Sequence, residues 1–155
     1  MNRQAIQPIH TETADSLKVE VYANRNEMGT AAGHDAAEKM KELLNRKENI
    51  RMVFAAAPSQ NEFLQTLSSI GGIDWSRVTA FHMDEYIGLP LDAPQRFGTF
   101  LSKRLFDKVK PGKVHLIDSS NDSHAECLRY GKLLDEAPID IVCLGIGENG
   151  HIAFN

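Results

Sequence analysis

The sequence predicts an α/β domain, a Rossmann-like three-layer α/β/α arrangement in which a mostly parallel sheet lies between layers of helices. Three observations support this prediction. Strand-like and helix-like segments alternate along the 155 residues, and the connections between them are short. The runs "IRMVFAAA" and "IDIVCLG" are as apolar as strands covered on both faces. Alternation of this kind is typical of a parallel sheet, because the crossover between parallel strands usually contains a helix.

Five segments are predicted as strands. The first, "LKVEVYA", alternates apolar and polar residues from Leu17, which predicts a half-buried strand near a sheet edge. The segments "IRMVFAAA", "RVTAFHMD", "KVHLI" and "IDIVCLG" follow in that order. The last of these is predicted to be buried on both faces, yet little sequence follows to cover it. We therefore expect a domain truncated at the C-terminus and a 155-residue chain that self-associates.

Four segments between these strands carry apolar residues at helical spacing. The apolar positions of the first three are Met28, Ala32, Ala36, Met40, Leu43 and Leu44, then Phe63, Leu64, Leu67 and Ile70, then Phe97, Phe100, Leu101 and Leu105. The fourth segment, "SHAECLRYGKLLDE", is predicted to begin at a capping box formed by Ser123 and Glu126.

Composition and charge indicate which partners and which cellular location to expect for the protein. Residues 1–16 are polar and are predicted as an N-terminal extension, with residues 17–155 forming one α/β domain that is incomplete at the C-terminus. A net charge of -4 predicts no attraction to nucleic acid or to an anionic membrane. Two cysteines, Cys127 and Cys143, are expected to be free, buried thiols in a reducing cytoplasm. The sequence predicts neither a signal peptide nor a membrane span, so a cytoplasmic location is expected.

Three loops follow predicted strands: "AAAPSQN", "HMDEYIGLP" and "GIGENGHIAFN". Ligands of parallel sheets bind beyond the carboxyl ends of the strands, so one crevice is predicted to gather these loops. In the third loop, Gly145, Gly147 and Gly150 have the spacing of a dinucleotide-binding turn. The turn follows the last strand, however, and the acidic residue expected about 20 positions later is absent from the chain. These glycines can bring backbone close to another ligand and place His151 beyond the strand end. The alternative is a tight structural turn with a surface histidine, and taken alone the motif favours that alternative.

Adjacent carboxylates, Asp84 and Glu85, stand at the end of an apolar strand. One is predicted to face the crevice, where it can act as a base, while the other orients a neighbour or caps a helix. The alternative is that both only mark the strand end. A metal site of His82, Asp84 and His151 is conceivable, but no further ligand cluster accompanies these residues, so no metal is expected.

Two segments in this order, "FHMDEYIGLP" and "LGIGENGHIAFN", resemble those of the glucosamine-6-phosphate deaminase (isomerase) family. Relatives of that family include galactosamine-6-phosphate deaminases and, more distantly, 6-phosphogluconolactonases. The resemblance extends from about Leu17 to Asn155. Tyr86 favours the deaminase branch, since a lactonase would be expected to carry an arginine at that position.

The resemblance implies a reaction without a cofactor, in which a 2-amino-2-deoxyhexose 6-phosphate and water give a ketohexose 6-phosphate and ammonia. Asp84 matches the residue that carries a proton between C2 and C1, and His151 matches the acid/base that opens the sugar ring. Asn149 stands where many members have an aspartate, and it is expected to orient His151 by a hydrogen bond. A homo-oligomer is expected for the full-length form. The resemblance also implies that the 155-residue chain by itself turns over little or no substrate, because family members continue beyond this motif.

Substrate contacts are expected from Ser59, Gln60, Glu85, Gly147 and Gly150. Ser59 matches the hydroxyl position of the family's phosphate loop, but the glycines usual in that loop are missing. Ser59 and Glu62 also have the spacing of a capping box, so phosphate contact and helix capping both stay open. Arg96, expected to be solvent-exposed, offers a further positive charge. A non-catalytic sugar-phosphate binding domain and a sugar-lactone hydrolase remain the alternative functions.

Overall fold

The computed structural model describes residues 6–153. Within this range the chain begins with an antiparallel hairpin of β1 (His10–Ala14) and β2 (Leu17–Val21). The segment "LKVEVYA" is therefore a strand, but it pairs with β1 in a two-stranded sheet of its own. Leu17 is 63% exposed, so the predicted half-burial at a sheet edge is wrong for this end of the strand. The predicted boundary at residue 16 falls in the turn of this hairpin.

The main sheet contains four parallel strands in the spatial order β5-β4-β3-β6. Their bounds are Ile50–Phe54 for β3, Val78–His82 for β4, Lys113–His115 for β5 and Ile141–Cys143 for β6. The predicted parallel sheet and the chain order of its strands are confirmed. The chain moves outward from β3 to β5 and then returns to the other side of β3 to form β6. Such a reversal leaves a crevice at the carboxyl ends of the two strands that flank it.

Helices occupy the connections predicted for them. Their bounds are Arg25–Leu44 for α1, Asn61–Ser69 for α2, Phe97–Leu101 for α3, Asp107–Val109 for α4 and Ser123–Asp135 for α5. A π-helical turn, Ser102–Phe106, joins α3 to α4 into one continuous helix over residues 97–109. None of the helices in the described part of the chain is long and apolar enough to cross a membrane.

The hydrophobic core lies between one face of the sheet and the helices α1, α2 and α3–α4. Ile50, Met52 and Phe54 of β3 point into it and are fully buried. The opposite face is covered by α5, where the Phe81 ring lies 5.9 Å from the ring of Tyr130. Val142 of β6 is 49% exposed, so the prediction that this strand is buried on both faces is wrong. Only one neighbour, β3, pairs with β6 in the described sheet, and β6 therefore forms an edge. Cys127 of α5 is a free but exposed thiol, so the prediction of burial is wrong for that cysteine.

Glycines decide which face of α1 is buried. Gly29 and Gly33 lie against α2, where an added Cβ would stand 2.5 Å from Cβ of Glu62 and 2.8 Å from Cβ of Thr66, respectively. Met28, by contrast, is 44% exposed. The helical spacing was predicted correctly, but the first two turns of α1 bury the face that carries the glycines. The backbones of α1 and α2 approach so closely there that a larger side chain would not fit.

The N-terminus of α5 is capped by Asp122, whose Oδ1 accepts from the Ala125 N–H at 3.0 Å. The predicted Ser123 capping box is therefore wrong. Glu126 instead accepts from the Asp118 N–H at 2.7 Å and pairs with Arg129 at 2.5 Å. Hydrogen bonding to Arg129 lowers the pKa of Glu126 to about 2, so this buried carboxylate stays charged and fixes the loop before α5.

Candidate functional site

The three predicted loops meet in one cavity of about 210 Å³ beyond the carboxyl ends of β3, β4 and β6. Its lining comprises Ala55, Ala56, Ala57, Ser59, Met83, Asp84, Phe97, Gly145, Ile146, Gly147, His151 and Ala153. Four of the predicted site residues, Ser59, Asp84, Gly147 and His151, thus share one crevice. It coincides with the point where the strand order reverses, which is where open α/β sheets bind their ligands.

Asp84 reaches the crevice because β4 stays paired with β3 up to that point. The Met83 N–H donates to the Phe54 carbonyl at 3.1 Å, and the chain leaves the sheet at the next residue. The Asp84 side chain is half-buried. Burial, and secondarily the charge of Glu85, raises the pKa of Asp84. A carboxylate whose pKa is raised binds a proton more readily, and this is the property required of a group that accepts and returns a substrate proton.

The structure places Glu85 in the wall and not at the cavity surface. Its carboxylate accepts from the N–H groups of Phe97 and Gly98, both at 2.9 Å, at the start of α3. Arg96 Nε lies 3.6 Å from the same carboxylate, and the Glu85 side chain is 1% exposed. Of the two roles considered for this carboxylate pair, helix capping therefore describes Glu85. A substrate contact would require it to leave a buried ion pair.

Arg96 is also committed within the protein. Besides Glu85, its guanidinium donates to the carbonyl of Leu91 at 3.1 Å and to that of Ile117 at 3.4 Å. The side chain is 11% exposed, which contradicts the expectation of a solvated arginine. The positive charge of Arg96 balances the negative charge of Glu85. The hydrogen bonds of its guanidinium connect the loop after β4 to the loop after β5.

His151 is held by its own loop. Asn149 Oδ1 lies 2.5 Å from Nδ1 of His151, so the contact predicted between these side chains is present. Because an amide oxygen only accepts, the ring proton of a neutral His151 belongs on Nδ1, and Nε2 keeps the lone pair that a base needs. The His151 carbonyl accepts from the Gly147 N–H at 2.9 Å and closes the turn.

Two glycines make this turn possible. A Cβ on Gly147 would stand 2.0 Å from Cε1 of His151, so the imidazole packs directly on the glycine backbone. Gly150 has φ +83°, a conformation that residues with a side chain rarely adopt. Both glycines therefore shape the loop that carries His151, and the substrate contacts predicted for them stay predictions.

The Ser59 loop differs from the capping-box alternative. Pro58–Gln60 form a 3₁₀ turn before α2, and no side chain caps either helix start. Glu62 instead pairs with Arg25 of α1 at 2.9 Å, so its charge is balanced. Ser59 is exposed and lines the crevice, while Gln60 is buried behind it with Nε2 3.5 Å from the Ser59 hydroxyl. Ser59 is therefore free of the capping role, and Gln60 supports it from behind.

His82 does not face the crevice. It is 1% exposed, and its Nε2 accepts from the Ile117 N–H at 2.7 Å. Burial lowers the pKa of His82 to about 4 and keeps the ring neutral. Among residues 6–153 no three His, Cys, Asp or Glu side chains are placed to share a metal ion.

Sequence reasoning missed Phe97, which forms one wall of the cavity and packs on Tyr86 with ring centroids 4.8 Å apart. The residue was predicted to point inward from a helix, and it does contact the core. Its position at the first turn of α3, where Glu85 anchors the helix, also brings it to the site. No local pattern marks that second role.

A family model described as glucosamine-6-phosphate isomerases/6-phosphogluconolactonase matches residues 23–154. A glucosamine-6-phosphate deaminase of Lactobacillus delbrueckii subsp. bulgaricus is 34% identical over 140 residues, which are 90% of this chain and 57% of that protein. A glucosamine-6-phosphate deaminase of Exiguobacterium sp. is 46% identical over 84 residues, which are 54% of this chain and 33% of that protein.

The solved structures with the same fold include proteins of both kinds that the family description names. A monomeric glucosamine-6-phosphate deaminase superposes with a TM-score of 0.76 at 28% identity, over 84% of this chain and 56% of that one. The 6-phosphogluconolactonase of Thermotoga maritima superposes with a TM-score of 0.74 at 28% identity, over 81% of this chain and 59% of that one. The chain thus spans 57% of the length of the Lactobacillus relative. From the match of residues 23–154 and the shared fold, the chain belongs to the family of glucosamine-6-phosphate isomerases and 6-phosphogluconolactonases.

Proposed function

We propose that the protein is an amino-sugar phosphate deaminase, which converts a 2-amino-2-deoxyhexose 6-phosphate and water into a ketohexose 6-phosphate and ammonia. The observation that carries this proposal is the crevice itself, where a half-buried carboxylate and a histidine oriented by an amide line one cavity. The curated relatives named above are glucosamine-6-phosphate deaminases, which agrees with this chemistry.

In this proposal Asp84 moves a proton from C2 to C1 of the ring-opened sugar. The C1 aldehyde acidifies the C2–H bond, and loss of that proton gives an enolamine. Return of the proton to C1 gives the C2 imine, whose hydrolysis releases ammonia. The raised pKa of Asp84 supports the role, because the group must accept a proton and then return it. Glu85, held against α3, contributes to that raised pKa without contacting the substrate.

His151 opens the sugar ring in this proposal. Its Nε2 takes the proton of the anomeric hydroxyl and returns it to the ring oxygen, while Asn149 keeps the other ring nitrogen protonated. The amide orients the imidazole without adding a charge. The substrate phosphate is assigned to the Ser59 hydroxyl, beside the start of α2.

The test is a substrate panel on the full-length protein. Ammonia release from glucosamine 6-phosphate and galactosamine 6-phosphate is compared with hydrolysis of 6-phosphogluconolactone. We expect ammonia release from at least one amino sugar, and its loss in Asp84→Asn, which keeps the side-chain shape but removes the base. The matched control is Asp92→Asn, the same change at an exposed position in the loop after β4.

Each other result favours a different function. Lactone hydrolysis without ammonia release would assign the chain to the lactonase activity of its structural neighbour from Thermotoga maritima. Binding of amino-sugar phosphates without turnover of any substrate would favour a non-catalytic sugar-phosphate binding domain. Ammonia release that persists in Asp84→Asn would remove Asp84 from the mechanism while leaving the reaction in place.

A further inference from the structure

The pairing of β4 with β3 and its pairing with β5 end at different residues. Pairing with β3 runs from Val78 to His82 and is extended by the Met83 N–H bond to the Phe54 carbonyl. Pairing with β5 covers only Thr79 to Phe81, because β5 ends at His115. A gap therefore opens on the β5 side of His82, two residues before Asp84. Backbone N–H and C=O groups in such a gap must find other partners, since leaving them buried and unpaired is costly.

The hydroxyl of Tyr130 fills this gap. It accepts from the His82 N–H at 3.0 Å and lies 2.8 Å from the His82 carbonyl and 3.2 Å from the His115 carbonyl. A hydroxyl has one proton, so it donates to one of these two carbonyls at a time. Tyr130 belongs to α5, 48 residues further along the chain, and is 7% exposed. One oxygen atom thus takes the place of the hydrogen bonds that a longer β5 would have made.

A second side-chain hydrogen bond replaces backbone pairing between β4 and β5. The imidazole of His82 accepts from the Ile117 N–H at 2.7 Å and holds the chain that leaves β5. Together the Tyr130 hydroxyl and the His82 ring let β5 diverge from β4 while the end of β4 stays fixed. The strand end that carries Asp84 is consequently held from the β3 side by backbone and from the β5 side by Tyr130.

We infer that Tyr130 is a positioning residue for Asp84: its hydroxyl fixes the end of β4 so that the Asp84 carboxylate is held in the crevice. The inference rests on the proposed function for its kinetic consequence, but not for its structural one. Only Met83 separates His82 from Asp84, so a shift of the His82 backbone displaces the start of the segment that carries Asp84. Misplacement of a reacting group by about 1 Å can cost about 100-fold in rate.

The test is Tyr130→Phe in the full chain, which removes one oxygen and keeps the ring that packs on Phe81. Tyr22→Phe makes the same change in the β-hairpin region, where the hydroxyl contacts Glu20. Ile50→Val is the stability control, since it removes one core methylene at the opposite end of the sheet. The Asp84 pKa is measured in each variant by carboxyl ¹³C NMR, and kcat and KM by ammonia release.

For Tyr130→Phe we expect the pKa of Asp84 to fall toward its ordinary value of about 3.9, because the released strand end exposes the carboxylate to water. We expect kcat to fall at least about tenfold with KM changed less than about twofold. Neither control is expected to move the Asp84 pKa or kcat.

The inference would be overturned if Tyr130→Phe left both the Asp84 pKa and kcat unchanged while lowering the unfolding midpoint as Ile50→Val does. Tyr130 would then have a purely stabilising role. If the parent protein releases no ammonia, the proposed function fails by itself. The Asp84 pKa then decides the positioning role alone: a fall in Tyr130→Phe supports it, and no change overturns it.

Discussion

Asp84 and Glu85 are adjacent in the chain, yet their carboxylates lie in separate environments. Asp84 is half-buried and lines the crevice, whereas Glu85 is 1% exposed and bound to the first N–H groups of α3 and to Arg96. The buried charge acts on its neighbour and contributes to the raised pKa of Asp84. One member of the pair therefore builds the wall, and its charge tunes the member that faces the cavity.

Replacement Glu85→Gln is expected to lower the pKa of Asp84, because it removes a nearby negative charge while leaving an oxygen to accept from α3. Carboxyl ¹³C titration of Asp84 measures the change. Glu38→Gln, at an exposed position of α1, serves as the control and should leave that pKa unaltered. An Asp84 pKa that rises or stays constant in Glu85→Gln would contradict the electrostatic coupling.

Replacement Asn149→Leu is expected to release the ring proton of His151 from Nδ1, because the accepting amide oxygen is lost. Imidazole ¹⁵N chemical shifts at high pH should then report a mixture of tautomers in place of one. Asn149→Asp retains an accepting oxygen and should preserve the single tautomer. A mixture already present in the parent protein would show that Asn149 does not orient the ring.

Gly147→Ala is expected to displace the His151 ring, since the new Cβ would stand 2.0 Å from Cε1. We expect ammonia release to fall at least about tenfold, as a misplaced acid/base no longer reaches the substrate. Gly71→Ala is the matched control, because nothing lies within 4 Å of its added Cβ. Full activity in Gly147→Ala would exclude the observed ring position from the active form.

Ser59→Ala is expected to change the free energy of unfolding by less than about 0.5 kcal/mol, because Ser59 caps no helix. Affinity for sugar phosphates should fall more than affinity for the same sugars without phosphate. Ser69→Ala, at an exposed position of α2, provides the comparison. Equal losses for both ligand types would remove the phosphate from the proposed role of Ser59.

The buried His82 predicts a pH-dependent stability. Its pKa is lowered to about 4 in the folded protein, below the ordinary value of 6.5, so the unfolded chain takes up a proton first as the pH falls. Its contribution is fully present above about pH 6.5 and is lost progressively as the pH falls to about 4, up to about 3 kcal/mol in total. Urea unfolding from pH 7.5 to 4 measures it. His82→Gln cannot titrate and should show a shallower loss over this window; equal slopes would disprove the assignment.

The order and type of the elements of the main sheet follow from local sequence. Apolar runs such as "IRMVFAAA" have the length of strands, and apolar residues recur at helical spacing between them. The local sequence of each segment therefore favours either strand or helix. Strands connected by helices must lie parallel, and their carboxyl ends must share one edge. For that reason the sequence alone predicts that Ser59, Asp84 and His151 share one crevice.

The choice between chemically equivalent residues required the tertiary structure. Ser59 and Ser123 both have capping-box spacing, yet neither caps a helix, because Arg25 pairs with Glu62 and Asp122 replaces Ser123. Nothing local distinguishes such serines from true caps, since the competing partners come from elsewhere in the fold or from one residue earlier.

Sequence by itself determined the parallel α/β architecture, the three loops of the site and the pairing of Asn149 with His151, because these depend on periodicity or on neighbours within two residues. Only the tertiary structure decided which carboxylate faces the cavity and which partner holds the end of β4. Glu85 is bound by residues 12 and 13 positions away, and His82 by Tyr130 at 48 positions. Contacts at such separations exist only after the chain has folded, and no pattern within a single segment encodes them.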